Sequence, residues 1–385
     1  MTRAHDILRI VRETYGGSGP LPLHAPVFGG NERAYVQATI DSTFVSSVGA
    51  YVDQFEHMLA AFTGARHVVA TSNGTTALHM ALLLADVRPG DLVVTQSLSF
   101  VATANAIAHA SAAPAFVDVE IGTLGMSPDA LRAFLESECD RTEGGTRHRA
   151  SGRRVSACVP MHSFGFPCRI DEIAGICARW NLALVEDAAE ALGSWRDARH
   201  CGTTGLLGTL SFNGNKICTT GGGGAIMTND AGLAKRARHL TTTAKVPHRW
   251  RFEHDEIGYN FRLPNLNAAL GCAQLERLED FLAFKRGLAQ RYGEAFGAAG
   301  IPFLTEPENT RSNYWLCAIL LDDEKERDAC LEVTNDAGVM TRPVWEPLHT
   351  LPMFAQSPRG PLAVTEHVAA RLVNIPSGVR AGAPA

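Results

Sequence analysis

Between Asn31 and Val119 the chain alternates short β-branched runs with amphipathic stretches, and this alternation limits the fold more than any other feature. The pattern predicts a helix over 51–62, a strand over 67–71 and a helix over 76–85. It continues with a strand over 92–95, a helix over 102–109 and a strand over 114–117. It resumes with a strand over 155–160, a helix over 170–180 and a strand over 182–185. Strands joined through helices by short connections run parallel, so the expected fold is α/β with a mainly parallel central sheet and helices on both faces. A long helix is expected over 267–293, then a mixed tail with strands over 315–321 and 341–345. The charged, Gly-rich segment 137–154 reads as an exposed excursion. Three regions are expected: an N-terminal helix and connector over 1–30, a large α/β domain over 31–276, and a smaller C-terminal α+β domain over 277–385.

Composition narrows the function. A chain of 385 residues with 45% hydrophobic and 19% charged residues can bury a core without staples and is not disordered. A formal net charge of −5 leaves no broad basic surface, which argues against nucleic acid as a partner. No apolar run approaches the length of a membrane span, and the N-terminus lacks the apolar segment of a signal peptide. The nine cysteines form no CxxC pair, so they are expected to be buried reduced thiols in a cytoplasmic protein, with no metal site.

Four local patterns carry chemistry. In the run Thr71-Ser72-Asn73-Gly74-Thr75-Thr76, small and hydroxylated residues separate a strand from an apolar helix. A helix start of this kind offers free N–H groups to a phosphate, although an ordinary N-cap has the same composition. Glu186-Asp187-Ala188-Ala189-Glu190 ends an apolar strand, where ligands of open α/β sheets sit. An Asp there could hold a protonated ring nitrogen, or cap a helix. Lys216, in Ser211-Phe212-Asn213-Gly214-Asn215-Lys216, precedes four glycines, Gly221 to Gly224. It is either a solvated turn lysine or a desolvated amine able to form a Schiff base, with the glycines letting backbone approach a flat ligand. The lysine precedes the glycines, so neither a P-loop nor a dinucleotide fingerprint is formed. Phe100 stands at a strand-to-helix turn, where it could stack on a ring or fill a core. A phosphate cradle, a pyridinium partner, a Schiff-base lysine and a stacking aromatic together suggest pyridoxal 5′-phosphate.

The motifs TSNGTTALHMAL, SFVATANAI, VEDAAEALGS, SFNGNK with GGGG, and GYNFRLPNLNAALGCAQLE, in this order, resemble the DegT/DnrJ/EryC1/StrS family of sugar aminotransferases. The resemblance implies the type I, aspartate-aminotransferase-like fold. It also implies that Lys216 bears the cofactor, Asp187 pairs with its ring nitrogen and Phe100 stacks on the ring. Gly74, Thr75 and Ser211 would hold the phosphate, and Asn260 would reach in from a second subunit of a homodimer with shared sites. Glu190 stands where many members carry Gln near the ring hydroxyl, a departure that leaves its contact open.

The stretches 22–56 and 241–260 further resemble the subgroup that aminates C4 of nucleotide-linked 4-keto-6-deoxy sugars, with relatives in bacillosamine, legionaminic acid and perosamine pathways. The resemblance implies a UDP- or GDP-linked 2-acetamido-2,6-dideoxy-hexos-4-ulose as acceptor and L-glutamate as amino donor. Lys245, His248 and Arg249 are candidates for the diphosphate, or a solvated basic loop. Arg342 could bind a carboxylate or a helix end, and His162 stands either near the ring edge or as a satisfied structural histidine. Rival readings are a 3-aminotransferase or a dehydrase of the same family, the latter disfavoured because its relatives carry His in place of Lys216. A noncatalytic cofactor-binding regulator would need a DNA- or partner-binding module that the sequence does not display.

Overall fold

The computed structural model describes residues 2–17 and 19–380. Seven strands build the main path of the central sheet: β1 (His67–Thr71), β2 (Leu92–Gln96), β3 (Ala113–Val117), β4 (Arg154–Val159), β5 (Ala183–Asp187), β6 (Leu207–Ser211) and β7 (Gly224–Thr228). Their order is β1-β7-β6-β5-β4-β2-β3. Neighbours from β3 through β6 pair in parallel, whereas β7 runs antiparallel to both β6 and β1. Both faces are covered, so β2, β6 and β7 are buried almost throughout, their polar Thr95, Gln96 and Thr209 included.

The helix Gly74–Leu84 and the helix Val101–His109 lie over one face, with Ala77, Met80, Ala81, Ala106 and Ile107 packed on Val69, Val93, Val185 and Ile226. The opposite face is closed by the helix Ala50–Thr63, whose Val52, Phe55 and Leu59 meet Leu210, Ala225 and Met227, and by the helix Ile170–Arg179.

The expected strands over 315–321 and 341–345 are shorter, Cys317–Leu320 and Arg342–Pro343, and two other expected segments differ in kind. Residues 137–154 are not a loose excursion: Cys139–Thr142 and Gly145–His148 form a hairpin whose second strand pairs antiparallel with β4. Thr146 and His148 are buried while Arg147 between them is exposed, so a two-residue period was present beneath the charge. The expected long helix is two, Asn265–Leu275 and Leu278–Ala298, broken at Glu276–Arg277. Leu278, Phe281 and Leu282 of the second helix join the core around Phe55, as Ala268 and Cys272 of the first do, while Leu288, Tyr292 and Phe296 enter a second one. That second core also holds the three-stranded antiparallel sheet of Cys317–Leu320, Leu372–Ile375 and Arg342–Pro343. The first helix, Arg3–Tyr15, is built into it through Ile7, Ile10, Val11 and Tyr15.

Gly224 fixes where the sheet meets the Gly74 helix. It pairs with Thr71 and with Ser211, and a Cβ there would lie 2.4 Å from the Asn73 carbonyl oxygen and 2.7 Å from the Gly74 nitrogen. Both obstacles are backbone, so Gly224→Ala is expected to lower stability by about 1–3 kcal/mol, read from the urea midpoint of the purified variant. It should also displace the helix start.

Candidate active site

The carboxyl ends of β5 and β6 open toward one cavity of about 340 Å³, lined by Gly74, Thr75, Phe100, Asp187, Glu190, Ser211 and Lys216, with Trp315 and Trp345 closing one side. Strand alternation selects which acid enters it. Asp187 points into the cavity. Glu186, one residue earlier, points the other way, where it accepts N–H bonds from Gly202, Thr204 and Gly205 and meets His162 Nε2 at 2.9 Å.

Asp187 is held by two donors: Thr103 Oγ1 to Oδ2 at 2.7 Å and the Ala189 N–H to Oδ1 at 3.2 Å. Burial raises its carboxyl above the ordinary range, against the lowering effect of Thr103, Ala189 and the Lys216 charge. A protonated ring nitrogen is the partner that would restore its anionic form.

At the other end, Asn73 caps the helix Gly74–Leu84 by accepting the Thr76 N–H at 2.8 Å. The first N–H groups of a helix have no intrahelical partner, and the helix dipole favours an anion beside them. Gly74 has no room for a side chain, because a Cβ would come within 2.8 Å of Ser211 Cβ. The close approach sets Ser211 beside the helix start.

Lys216 enters from the turn after β6, its N–H bonded to the Asn213 carbonyl at 3.0 Å. Its Nζ lies 3.2 Å from Glu190 Oε1 and 3.9 Å from the centre of the Trp315 ring. Trp315 is pinned by its own Nε1–H to the Asn215 carbonyl at 2.7 Å and by the Asn313 side chain, which accepts the Trp315 N–H and donates to the Glu190 and Leu192 carbonyls. Burial pushes the Glu190 carboxyl up to about 7, against the lowering effect of Lys216 and of the Phe164 N–H.

The sign of the resulting stability change is fixed. An acid whose folded pKa is raised favours folding below its unfolded value and loses that contribution as pH rises through the folded pKa. Between pH about 4.5 and about 7, wild type should therefore lose up to about 3 kcal/mol relative to Glu190→Gln, which has no proton to release. Urea unfolding of the two cofactor-free proteins across that range checks it.

The DegT/DnrJ/EryC1/StrS aminotransferase family matches residues 27–382. The chain belongs to that family. It is 37% identical over 86% of its length to EpsN of Bacillus subtilis (strain 168), provisionally named a pyridoxal phosphate-dependent aminotransferase, with 83% of EpsN covered. It is 35% identical to the GDP-perosamine synthase of Escherichia coli O157:H7 over 93% of each chain. Among solved structures, the aminotransferase TlmJ from Streptoalloteichus hindustanus superposes with a TM-score of 0.84 at 32% identity, covering 93% of this chain and 94% of that one. The chain is thus a pyridoxal phosphate-dependent aminotransferase with the fold of that family.

The cavity of this DegT-family aminotransferase fits the cofactor on its own geometry. The side-chain-free approach at Gly74, the doubly oriented Asp187 carboxylate and the half-exposed Phe100 ring face the same space as the Lys216 amine. The four-glycine run does something other than expected. Gly221 to Gly224 do not line the cavity; Gly224 makes room for the Asn73–Gly74 turn, and a Cβ on Gly223 would meet Thr220. At Gly224 the close approach is of protein backbone to protein backbone.

Other candidates lie elsewhere. His162 is fully buried behind the strand, accepting the Cys168 N–H at Nδ1 and facing Glu186 with Nε2, so it is a satisfied structural histidine. Arg342 bonds Asn335 and the Thr341 carbonyl and is a helix-end clamp. Lys245, His248, Arg249 and Asn260 are not among the residues lining the cavity of their own chain. Lys245 sits over the Phe252 ring at 4.2 Å, and His248, Arg249 and Asn260 are exposed. Trp315, Trp345 and Thr103 were absent from the expected site.

Proposed function

We propose that this enzyme moves an amino group from L-glutamate to C4 of a nucleotide-linked 4-keto-6-deoxy sugar, with a UDP- or GDP-linked 2-acetamido-2,6-dideoxy-hexos-4-ulose as the acceptor. The observation that carries the transfer chemistry is that a lysine amine, an oriented buried carboxylate and a helix start cleared of side chains face one cavity. The GDP-perosamine synthase relatives supply the sugar reading: a nucleotide-linked amino sugar stands in their name.

In this reading the Gly74 and Thr75 N–H groups and Ser211 Oγ bind the cofactor's phosphate, and Phe100 covers one ring face. Bound pyridoxal phosphate supplies the electron sink for negative charge at the carbon that bears the amino group. Asp187 keeps a proton on the ring nitrogen, and Lys216, the covalent anchor, takes the proton from Cα of glutamate at Nζ. Trp315 and Trp345 exclude water beside that amine. The amino group is held between two half-reactions, so ping-pong kinetics are expected.

The same reading makes the enzyme a homodimer with shared sites. Trp250, Phe252 and Ile257 are 69–86% exposed on the segment that carries Lys245, His248, Arg249 and Asn260. Large apolar groups clustered in water mark a surface that another chain covers. A partner's copy would then bring Asn260 to the phosphate and the basic residues to the diphosphate. The double variant Trp250→Asp/Phe252→Asp should sediment as a monomer where wild type sediments as a dimer.

The function is tested by the visible spectrum of the purified protein. A yellow band that bleaches with L-glutamate and returns with a UDP- or GDP-linked 4-keto-6-deoxy sugar supports the reading, and the nucleotide that restores it faster names the acceptor. A band that bleaches but is restored by neither sugar would overturn the acceptor. No bleaching with glutamate would overturn the donor.

A further inference from the structure

The mechanism assigned above uses the Lys216 amine twice, as covalent anchor and as base, and in both roles it must be neutral. A neighbour able to take a proton from Nζ and return it would hold the amine in that form. Solvent is a poor partner, because only 12% of the Lys216 side chain is exposed. Glu190 Oε1 is 3.2 Å away. Its carboxyl is nearly fully buried, and its second oxygen, Oε2, accepts the Phe164 N–H at 2.8 Å, which fixes the rotamer so that Oε1 faces Nζ. Phe164 itself sits at φ 56°, a backbone conformation few side chains adopt, so this orientation is built in rather than adventitious. The Trp315 ring, 3.9 Å from Nζ on another side, favours a cation there but cannot accept its proton.

We propose that Glu190 is the proton store of Lys216. The N–H bond at Nζ breaks as an O–H bond forms at Glu190 Oε1, leaving a neutral amine and a neutral carboxylic acid; the return transfer reverses this, with no change in oxidation state. The inference rests on the role given to Lys216 in the proposed function.

The charged surroundings suit the exchange. Lys216 approaches Glu190 from the turn after β6, and Asp187 approaches from the end of β5, the first favouring the carboxylate and the second the neutral acid. Behind Trp315, Lys285 donates from the helix Leu278–Ala298 to the Trp315 carbonyl, and burial lowers that amine to about 7. His24, from the N-terminal connector, has both ring nitrogens buried without a hydrogen-bond partner among the described residues, and burial holds it neutral. Glu190 is therefore balanced between its two forms near neutrality, which a glutamine at the same position cannot be.

Infrared difference spectra of the cofactor-free protein against pH test this without turnover. A protonated-carboxyl band should titrate near pH 7, vanish in Glu190→Gln, and titrate at least about one unit higher in Lys216→Met, where the neighbouring cation is gone. The last variant keeps Glu190, so it is informative even where Glu190→Gln does not fold. A carboxyl whose only task is to orient the Phe164 loop would titrate in the same way, so the pH profile of the glutamate half-reaction separates the two: its limb near pH 7 should be lost in Glu190→Gln, and a profile unmoved by that change overturns the proposal. Absence of a band lost in Glu190→Gln, or a midpoint unmoved by Lys216→Met, overturns the proposal. Failure of the anchor role is separate: borohydride would then fail to fix the cofactor at Lys216 while the infrared result stood.

Discussion

Lys216→Ala is expected to lower amino transfer by at least about 10³-fold while leaving the protein able to bind pyridoxal phosphate. The loss is large because one atom, Nζ, serves as both anchor and base, and no other amine lines the cavity among the described residues. Binding should survive because the groups proposed for the phosphate and the ring nitrogen stand on other elements: Gly74 and Thr75 on a helix start, Ser211 and Asp187 on strand ends. The variant also removes the cation nearest Glu190, which then takes up its proton and remains buried as a neutral acid. The fold is expected to hold. Two measurements check the separation of roles. Borohydride should attach the cofactor to the peptide containing position 216 in wild type and to no peptide in the variant. The glutamate half-reaction, followed in the visible spectrum, should be slowed by the stated factor.

Residues whose position follows from local chain geometry were legible in the sequence. Asp187 could be placed because the apolar run 182–185 leads into it, and strand ends of an α/β sheet face the ligand. Gly74 could be placed because Asn73 and the hydroxylated residues around it announce a helix start. Trp315 could not. It joins the site through Asn215, 100 residues away in the chain, and through an Asn313 side chain that also holds Glu190 and Leu192. Residues 315–321 read as a strand, yet the strand begins only at Cys317, and Tyr314 at φ 46° turns the chain before it. Trp345 likewise falls in a stretch, 341–345, that reads as a strand, but the strand stops at Pro343. The hairpin at 139–148 was masked by charges on its exposed face. The helix break at Arg277 carries no Pro or Gly, and Ala268 and Cys272 before it enter the same core as Leu278 and Phe281 after it, so neither a breaker residue nor a change in the apolar pattern marks it. The four glycines mislead for a related reason, since a need for bare backbone in a sequence does not say whether ligand or protein comes close.

The second large effect belongs to Asp187. Asp187→Asn keeps the side chain's shape and one acceptor oxygen for the Ala189 N–H, turns its amide N–H toward Thr103 Oγ1, which must then accept, and removes the charge that faces the cavity. In the cofactor-free protein the change should be mild or stabilising, because burial already disfavours the Asp187 anion and the amide has none to desolvate. With cofactor bound the balance inverts. The ring nitrogen then loses its anionic partner in a buried site, a loss of about 3–5 kcal/mol, or roughly 10²–10⁴-fold in rate. The two states therefore move in opposite directions under one substitution. Urea unfolding of the cofactor-free variant should show no loss of stability, while the glutamate half-reaction of the loaded variant should fall by at least about 10²-fold. A variant that is less stable without cofactor and unimpaired with it would mean that Asp187 is a helix cap, the other role its position allows. Glu186 gives the control. It has the same charge one residue away, but it faces three backbone N–H groups and His162, so Glu186→Gln should weaken the fold of the cofactor-free protein and shift its unfolding midpoint.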